Sequence, residues 1–275
     1  MSKHQLNLRV AHVEHPHPDY AVLHLTLPLA ERNLAPTGEG GAERCQESHL
    51  PPMHPGQFVQ VRVEGSPATF LRRPISINYA DATTLHLLVH NIGAGTAALC
   101  ALREGDTLNC LLPLGHGYTL PAEHTPARRC LLIGGGVGTA PLLYLAARLH
   151  ELGHNVTLIL GGRSAGDVLQ TELFKQYGRL CITTNDGTLG HPGFVTQHPV
   201  LDEAPFDQIY TCGPKPMMQA VVRWAREHHT PCEVSLENMM ACGLGACLCC
   251  VENTVRGNVC VCTEGPVFDE KELNW

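Results

Sequence analysis

Residues 242–250 read Cys-Gly-Leu-Gly-Ala-Cys-Leu-Cys-Cys, and two more cysteines follow at positions 260 and 262. Taken as Cys242, Cys247, Cys250 and Cys262, the spacing is C-x4-C-x2-C, followed by a fourth cysteine after eleven residues. Glycine and alanine fill most of the first gap, and glycine permits the tight turns and close backbone approach that a wrapped loop needs. The segment is therefore expected to enclose an inorganic centre held by thiolates.

This spacing is that of the plant-type loop that binds a [2Fe–2S] cluster. Two irons bridged by sulfides need four thiolates, and backbone N–H groups of a tight loop can point at the sulfurs. Structural zinc remains an alternative, although only Cys247 and Cys250 form the close pair that zinc sites favour. Free or disulfide-bonded cysteines are a third possibility. Cys249 or Cys260 could also replace its neighbour as a ligand.

Composition narrows the class of protein. The chain has 275 residues, a net charge of −7 and 44% hydrophobic residues, which indicates a globular protein and argues against a nucleic-acid groove. There is no apolar run of 18 residues and no signal-peptide core at the start, so we expect a cytoplasmic protein. In that reducing compartment, cysteines bind metals or stay free rather than pair.

The pattern changes twice along the chain. Residues 1–124 contain short alternating strands that predict an antiparallel barrel, interrupted by an exposed insertion at 31–55. Residues 125–236 alternate strands with helices, the latter at 141–152, 167–177 and 215–228, which predicts an α/β domain with a parallel sheet. Residues 237–275 are too short for a core of their own, so this module is expected to depend on its cluster.

A glycine cluster follows the first strand of the α/β region and opens a helix. The N–H groups and partial positive charge of a helix start can bind a pyrophosphate there. The match to G-x-G-x-x-G is imperfect, so a turn without a ligand stays possible. The candidate nucleotide-binding residues are Gly134, Gly135, Gly136, Gly138 and Thr139.

Two further segments carry candidate binding residues. The segment 72–76, which is Arg72, Arg73, Pro74, Ile75 and Ser76, combines cations and a hydroxyl at a strand start, and Gly93-Ala94-Gly95-Thr96 precedes an apolar helical patch. An arginine pairs well with a phosphate, and a Gly-Thr turn can bind one too. The arginine segment is, however, also typical of a surface strand edge.

Cys212 lies at the end of another predicted strand, where open α/β sheets bind ligands. Its thiol either faces a nicotinamide ring or is simply buried. Arg163 and Ser164 follow the second strand and could meet a 2′-phosphate, or could be loop residues only. The choice between NADH and NADPH therefore stays open.

The order of these motifs resembles the ferredoxin–NADP reductase superfamily, in which an FAD-binding barrel precedes an NAD(P)-binding domain. The segments 235–237, 240–250 and 261–268 resemble one branch closely, the electron-transfer subunits of type B dihydroorotate dehydrogenase. Two departures stand out: Cys249 occupies a position where members often carry glycine, and Val89 and His90 stand where a tyrosine and a basic residue are common.

The resemblance implies a subunit with FAD and one [2Fe–2S] cluster that passes electrons to NAD+. It would pair with an FMN-containing catalytic subunit that oxidises dihydroorotate in pyrimidine synthesis, in a heterotetramer of two plus two. It also implies two sets of residues. The FAD contacts would be Arg73, Pro74, Ile75, Ser76, Leu88, Val89, His90, Gly95 and Thr96, and the cluster ligands Cys242, Cys247, Cys250 and Cys262.

Two other functions are compatible with the sequence. One is a flavin and iron–sulfur reductase subunit that moves electrons between NAD(P)H and ferredoxin or a hydrogenase. Some relatives of that kind carry aspartate in place of the first cluster cysteine, which makes Cys242 an argument against it. The other is a zinc-bearing, nucleotide-binding regulatory protein without turnover.

Overall fold

The structure is a computed structural model that describes residues 2–28 and 49–275. Most of the insertion predicted at 31–55 lies outside these residues. Its last part, residues 49–55, contradicts the prediction of exposure, because Leu50 and Met53 are buried in the barrel core. None of the helices in the described ranges is long and apolar enough to cross a membrane.

Six strands close into an antiparallel barrel in the order β1-β2-β5-β4-β3-β6, which confirms the predicted barrel. Alternation along each strand sends one face into the barrel core: Val59 and Val61 point inward, and Phe58 belongs to a core outside the barrel. The strands are β1 (His4–His17), β2 (Tyr20–Thr26), β3 (Phe58–Val61), β4 (Arg73–Ala80), β5 (Thr84–His90) and β6 (Thr107–Leu114). A short helix, α1 (Ala94–Cys100), follows β5 and buries Leu99 in the barrel core.

A seven-stranded sheet forms the second unit, in the order β10-β9-β8-β7-β11-β12-β15, and its last strand, β15 (Val267–Asp269), comes from the C-terminal module. Its first six strands are parallel, as predicted, and their central members are buried along nearly their whole length. The strands are β7 (Arg129–Gly135), β8 (Asn155–Gly162), β9 (Arg179–Thr184), β10 (His191–Pro192), β11 (Gln208–Cys212) and β12 (Cys232–Ser235). The helices are α2 (Ala140–Glu151), α3 (Thr171–Phe174) and α4 (Lys215–Glu227).

The helix predicted at 167–177 is wrong in extent, since only Thr171–Phe174 is α-helical. Val168 is extended and Gln170 adopts a left-handed φ of 56°, so the helix cannot begin before residue 171. Between them, Leu169 is buried against Tyr20 of the barrel. A contact with another domain therefore overrides the local helical pattern.

The C-terminal module continues the α/β sheet instead of forming a separate body. Its elements are β13 (Val251–Thr254), β14 (Gly257–Cys260), α5 (Val261–Glu264) and β15 (Val267–Asp269). Strand β15 pairs antiparallel with β12, which the sequence did not indicate. Arg226 of α4 also forms an ion pair of 2.6 Å with the buried Glu270. The module is thus fastened to the sheet on one side, and its expected dependence on the cluster stays a prediction.

Polar bridges join the barrel to the α/β unit. The Asn78 amide donates to the carbonyl of Ala140 at 3.0 Å and exchanges hydrogen bonds with Gln170. The Tyr144 hydroxyl donates to the carbonyl of Met53 at 3.0 Å. Because these groups are largely buried, the bridges fix the barrel against the start of α2, beside the candidate site.

Candidate functional site

A cavity of about 540 Å³ opens where the barrel, the α/β sheet and the C-terminal module meet. Residues from all three units line it, which is typical of a cofactor site between domains. From the barrel come Arg73, Pro74, Ile75, Ser76, Leu88, His90, Ile92 and Thr96, from the α/β unit Val137 and Ala140, and from the C-terminal module Glu237, Asn238, Met239, Met240, Ala241 and Cys249. The structure therefore brings most of the predicted barrel residues to one wall.

Arg73 lies across the first turn of α1. A Cβ on Gly95 would be 2.8 Å from its Nε, so only glycine leaves room for the guanidinium. The Thr96 hydroxyl accepts hydrogen bonds from the N–H groups of Ile92 and Gly93, at 3.0 and 3.2 Å, which holds this turn. Among the described residues Arg73 pairs with no carboxylate, so its charge is available to an anion in the cavity.

The neighbouring Arg72 has a different role. Its guanidinium donates to the carbonyls of Gln60 and Asn109, at 3.0 and 3.1 Å, and to the Asn109 side chain. Arg72 therefore ties strands of the barrel together and is not available to a phosphate, which the sequence alone does not distinguish.

Strand β5 presents its residues alternately to the cavity and to the barrel core. Leu88 and His90 line the cavity, whereas the Val89 side chain lies in the core and cannot face a ligand there. The His90 ring stacks on Tyr20 with centroids 4.3 Å apart, and burial lowers the pKa of His90, which favours the neutral ring. Tyr20 was not predicted, since β2 and β5 meet only in the fold.

The glycine turn lies at the carboxyl end of β7, beside the end of β11. A Cβ on Gly138 would be 2.4 Å from the Cα of Gly213, so the two loops touch through backbone alone. Gly136 adopts a φ of 55°, and the buried Thr139 hydroxyl donates to the Gly136 carbonyl at 2.9 Å. The turn is thus shaped for close approach of a ligand, and Cys212 is brought next to it.

The Cys212 thiol is buried and lies 3.7 Å from Oε1 of Glu237. Burial raises the pKa of Cys212 well above its usual range, so the thiol stays protonated. Burial also raises the pKa of the Glu237 carboxyl, and the hydrogen bond from the Cys212 thiol opposes that rise. Sequence reasoning missed Glu237, although an acid two residues after the last parallel strand of the sheet was a usable signal.

The cysteine loop is built from tight turns that aim N–H groups at sulfur. Gly243 and Gly245 adopt φ values of 70° and 81°. The N–H of Leu244 donates to Sγ of Cys242 at 3.3 Å, and that of Gly245 donates to Sγ of Cys262 at 3.2 Å. Such donors stabilise thiolates and the negative charge of an iron–sulfur centre.

The four predicted sulfurs come together as two pairs. The N–H of Cys262 donates to Sγ of Cys250 at 3.4 Å, and the Cys247 side chain lies close enough to Cys242 to influence its pKa. Burial raises the pKa of Cys242, but N–H groups of the loop and the Cys247 side chain outweigh it and lower the pKa to about 6. Burial and the Cys250 thiol raise the pKa of Cys262 to about 12, so a metal centre would have to displace its proton.

Two pairs of thiols fit a centre with two irons, each of which takes two thiolates. Among residues 2–28 and 49–275, no three His, Cys, Asp or Glu side chains are grouped as a site for one metal ion. Cys249 is exposed and lines the cavity, while Cys260 lies near Cys250. The residues present therefore fit a [2Fe–2S] cluster held by Cys242, Cys247, Cys250 and Cys262, and the loop reaches the cavity through Cys249.

Comparison with known proteins agrees with this geometry. Residues 237–274 match the model of the iron–sulfur cluster binding domain of dihydroorotate dehydrogenase B, and residues 132–223 match that of the oxidoreductase NAD-binding domain. The electron-transfer subunit of dihydroorotate dehydrogenase B (NAD(+)) from Shouchella clausii is 43% identical over 80% of this chain and 86% of its own length. The Streptococcus pneumoniae subunit of the same name is 40% identical over 78% of this chain and 87% of its own.

The chain belongs to the family of dihydroorotate dehydrogenase B electron-transfer subunits. It is an oxidoreductase subunit, with an iron–sulfur domain at its C-terminus and an NAD-binding domain before it. The family predicted from the sequence is confirmed. The alternative hypothesis, a zinc-bearing regulatory protein, is therefore excluded.

Solved structures confirm the reductase-like fold of this electron-transfer subunit. A chain from the NADH-dependent reduced ferredoxin–NADP oxidoreductase, described in a study of flavin-based electron bifurcation, superposes with a TM-score of 0.78 at 27% identity, over 98% of this chain and 90% of that one. The ferredoxin reductase of carbazole 1,9a-dioxygenase has a TM-score of 0.64 at 20% identity, over 84% and 67% of the two chains, and shows the fold alone.

Proposed function

We propose that this subunit accepts electrons from the FMN of a dihydroorotate-oxidising catalytic subunit and delivers them to NAD+, for pyrimidine synthesis in the cytoplasm. When bound, FAD exchanges two electrons with a nicotinamide and single electrons with a [2Fe–2S] cluster, so it links the two kinds of carrier. The observation that carries the proposal is the shared cavity, which the FAD-side residue Arg73 and the cluster-loop residue Cys249 line together.

The barrel wall supplies the FAD site in this proposal. Arg73 would bind the pyrophosphate, because its guanidinium has no carboxylate partner among the described residues and suits phosphate oxygens, while Thr96 holds the adjoining turn. Pro74, Ile75, Ser76 and Leu88 line the mixed apolar and polar wall for the rest of the cofactor. Val89 contributes only packing.

The α/β side supplies the NAD+ site. The glycine turn 134–139 receives the pyrophosphate, and Cys212 and Glu237 stand where two strands of the sheet end. The Cys212 thiol keeps its proton and therefore adds no negative charge beside the nicotinamide, and the Glu237 carboxyl lies 3.7 Å from that thiol. They position the ring and exclude water, and the redox chemistry belongs to the cofactors.

The loop after β8 favours NAD+ over NADP+. The Asp167 carboxylate accepts hydrogen bonds from the N–H groups of Arg163 and Ser164, at 3.0 and 3.2 Å. It also lies 3.6 Å from Nε of Arg163, whose positive charge it offsets. A 2′-phosphate at this loop would meet a carboxylate, whereas a ribose hydroxyl could hydrogen-bond with it.

The partner would dock over the cysteine loop. Leu244 and Leu248 of the loop are 45% and 64% exposed, and Met239 at the cavity mouth is 83% exposed. Exposed apolar side chains on one short loop are typical of an interface. Because single electrons must enter the cluster from outside, the same face suits the catalytic subunit, which we place in a heterotetramer of two plus two.

The test is purification with and without the co-expressed catalytic subunit. The expected result is FAD and two irons per chain, and reduction of NAD+ by dihydroorotate only when both subunits are present. A preparation with FAD and iron that reduces ferredoxin from NAD(P)H, and that never couples to dihydroorotate, would instead establish the reductase alternative. The 43% identity to a dihydroorotate dehydrogenase subunit, against 27% to the oxidoreductase chain, favours the first outcome.

A further inference from the structure

Gln60 carries a buried amide that nothing in the described chain satisfies. The residue is 0% exposed, and neither Nε2 nor Oε1 has a hydrogen-bond partner among the described residues. Burying an unpaired amide destabilises a protein, so such a group is expected to meet a partner in the working protein.

The Gln60 side chain points away from the barrel core and towards the cysteine loop. Its neighbours on β3, Val59 and Val61, point into the barrel, so alternation places Gln60 on the outer face. Phe58 shares that face and packs in the core that contains Cys250 and Cys262.

The contact with the loop is direct. A Cβ built on Gly243, the residue after Cys242, would lie 2.7 Å from Cγ and 3.1 Å from Nε2 of Gln60. Gly243 also adopts a φ of 70°, which glycine accepts readily. Because residue 243 has no side chain, the backbone of the loop can pack directly against the Gln60 amide.

We propose that the Gln60 amide donates a hydrogen bond to a cluster sulfur at the Cys242 end of the loop and raises the reduction potential of the cluster. This inference rests on the proposed function, in which a [2Fe–2S] cluster fills the loop. Reduction adds one negative charge to the cluster, and a donor aimed at a sulfur stabilises the reduced form more than the oxidised form. Gln60 would thus link the FAD-binding barrel directly to the cluster.

The backbone hydrogen-bond donors of the loop all come from the C-terminal module, so a donor from the barrel would be an additional one. Leu244 donates to Cys242, Gly245 to Cys262 and Cys262 to Cys250, all from within the C-terminal module. Gln60 approaches from the barrel, a separate part of the chain. Its removal should therefore change the potential without removing any ligand.

The first test replaces Gln60 with methionine, which has a similar size and no donor. In the purified complex, we expect the ratio of reduced to oxidised cluster at a fixed potential to fall about tenfold, which is a shift of 59 mV for one electron. Gln60→Leu, which also lacks a donor, should shift the potential in the same direction. The potential of the bound FAD should stay unchanged in both variants.

Gln208→Met is the matched control. Gln208 is a half-buried glutamine at the start of β11, the opposite end of the strand from Cys212, and its amide donates to a backbone carbonyl. The same chemical change there should leave the cluster potential as in the unmodified protein. An equal shift in this control would show that the effect of Gln60→Met is not local.

Labelling gives a direct readout. With glutamine side chains carrying 15N, the reduced cluster should show an added nitrogen coupling in pulsed electron paramagnetic resonance, lost in Gln60→Met. A normal cluster signal with neither a coupling nor a shift in potential would mean that the amide is satisfied by water, and would overturn the inference alone. A preparation without any [2Fe–2S] signal would overturn the proposed function as well.

Discussion

Cys249 and Cys250 are adjacent, yet the fold gives them opposite surroundings. Cys250 is buried in the core with Cys262, whereas Cys249 is exposed and lines the cavity. Leu248 before them adopts a left-handed φ of 57°, which turns the chain between Cys247 and this pair. Local backbone conformation therefore decides which thiol can serve a centre in the loop.

A first prediction compares two cysteine variants. Cys247→Ser should abolish the visible absorbance of the cluster and leave bound FAD in place, because one iron loses a ligand while the barrel is untouched. Cys249→Gly should keep full cluster absorbance, since that thiol faces the cavity. Absorbance spectra and iron content of the two anaerobically purified variants check this, and a cluster lost from Cys249→Gly alone would reverse the ligand assignment.

At the scale of strands and helices, the sequence predicted those elements whose apolar residues recur at a regular spacing. Alternation predicted the barrel strands, and the rhythm of strands and helices predicted the parallel sheet, because each element meets its own core at a regular period. The failures lie at long-range contacts. The burial of Leu169 shortened α3, and β15 was missed because a three-residue strand has too few positions to show a period.

The same limit applies to the candidate site. The spacing of Cys242, Cys247, Cys250 and Cys262 was readable because one short loop carries three of them. The approach of Gln60 and the stacking of Tyr20 on His90 were not readable, because strands far apart in sequence bring these groups together.

A second prediction concerns the pairing of β2 with β5. His24 and His86 face each other across these strands, with Nδ1 and Nε2 3.1 Å apart, and Tyr79 lies beside His86. Burial, assisted by His24, lowers the pKa of His86 from 6.5 to about 4, while Asp81 opposes this weakly. The folded state thus disfavours the charged imidazole.

The sign of the pH effect follows from this lowered pKa. The unfolded chain binds a proton at His86 near pH 6.5 and the folded chain only near pH 4, so stability falls as the pH drops through that window. Between pH 7 and pH 4.5 this one group should cost about 2 kcal/mol of unfolding free energy. Urea unfolding should show a smaller fall for His86→Leu, and a fall as in the unmodified protein for the exposed control His15→Leu. An equal fall in both variants would contradict the prediction.

At the scale of the whole molecule, three parts of the chain meet at one cavity, and the cysteine loop lies between that cavity and the exterior. The face of the loop is apolar: Leu244 and Leu248 are 45% and 64% exposed. Leu248 keeps a left-handed backbone that aspartate tolerates better than leucine. The exposed Leu248 side chain is therefore available for contact with a partner.

The third prediction uses this conformation to test the docking face. Leu248→Asp should fold normally and keep its FAD and cluster spectra, because aspartate suits the left-handed backbone and the side chain packs against no core. Binding to the catalytic subunit should weaken at least tenfold, since docking would bury an unpaired charge. Phe194→Asp is the control, because Phe194 is 61% exposed in the α/β unit, apart from the cavity lining. Size-exclusion chromatography and titration of the two subunits measure the effect, and a loss of binding by Phe194→Asp with none by Leu248→Asp would move the interface to the opposite unit.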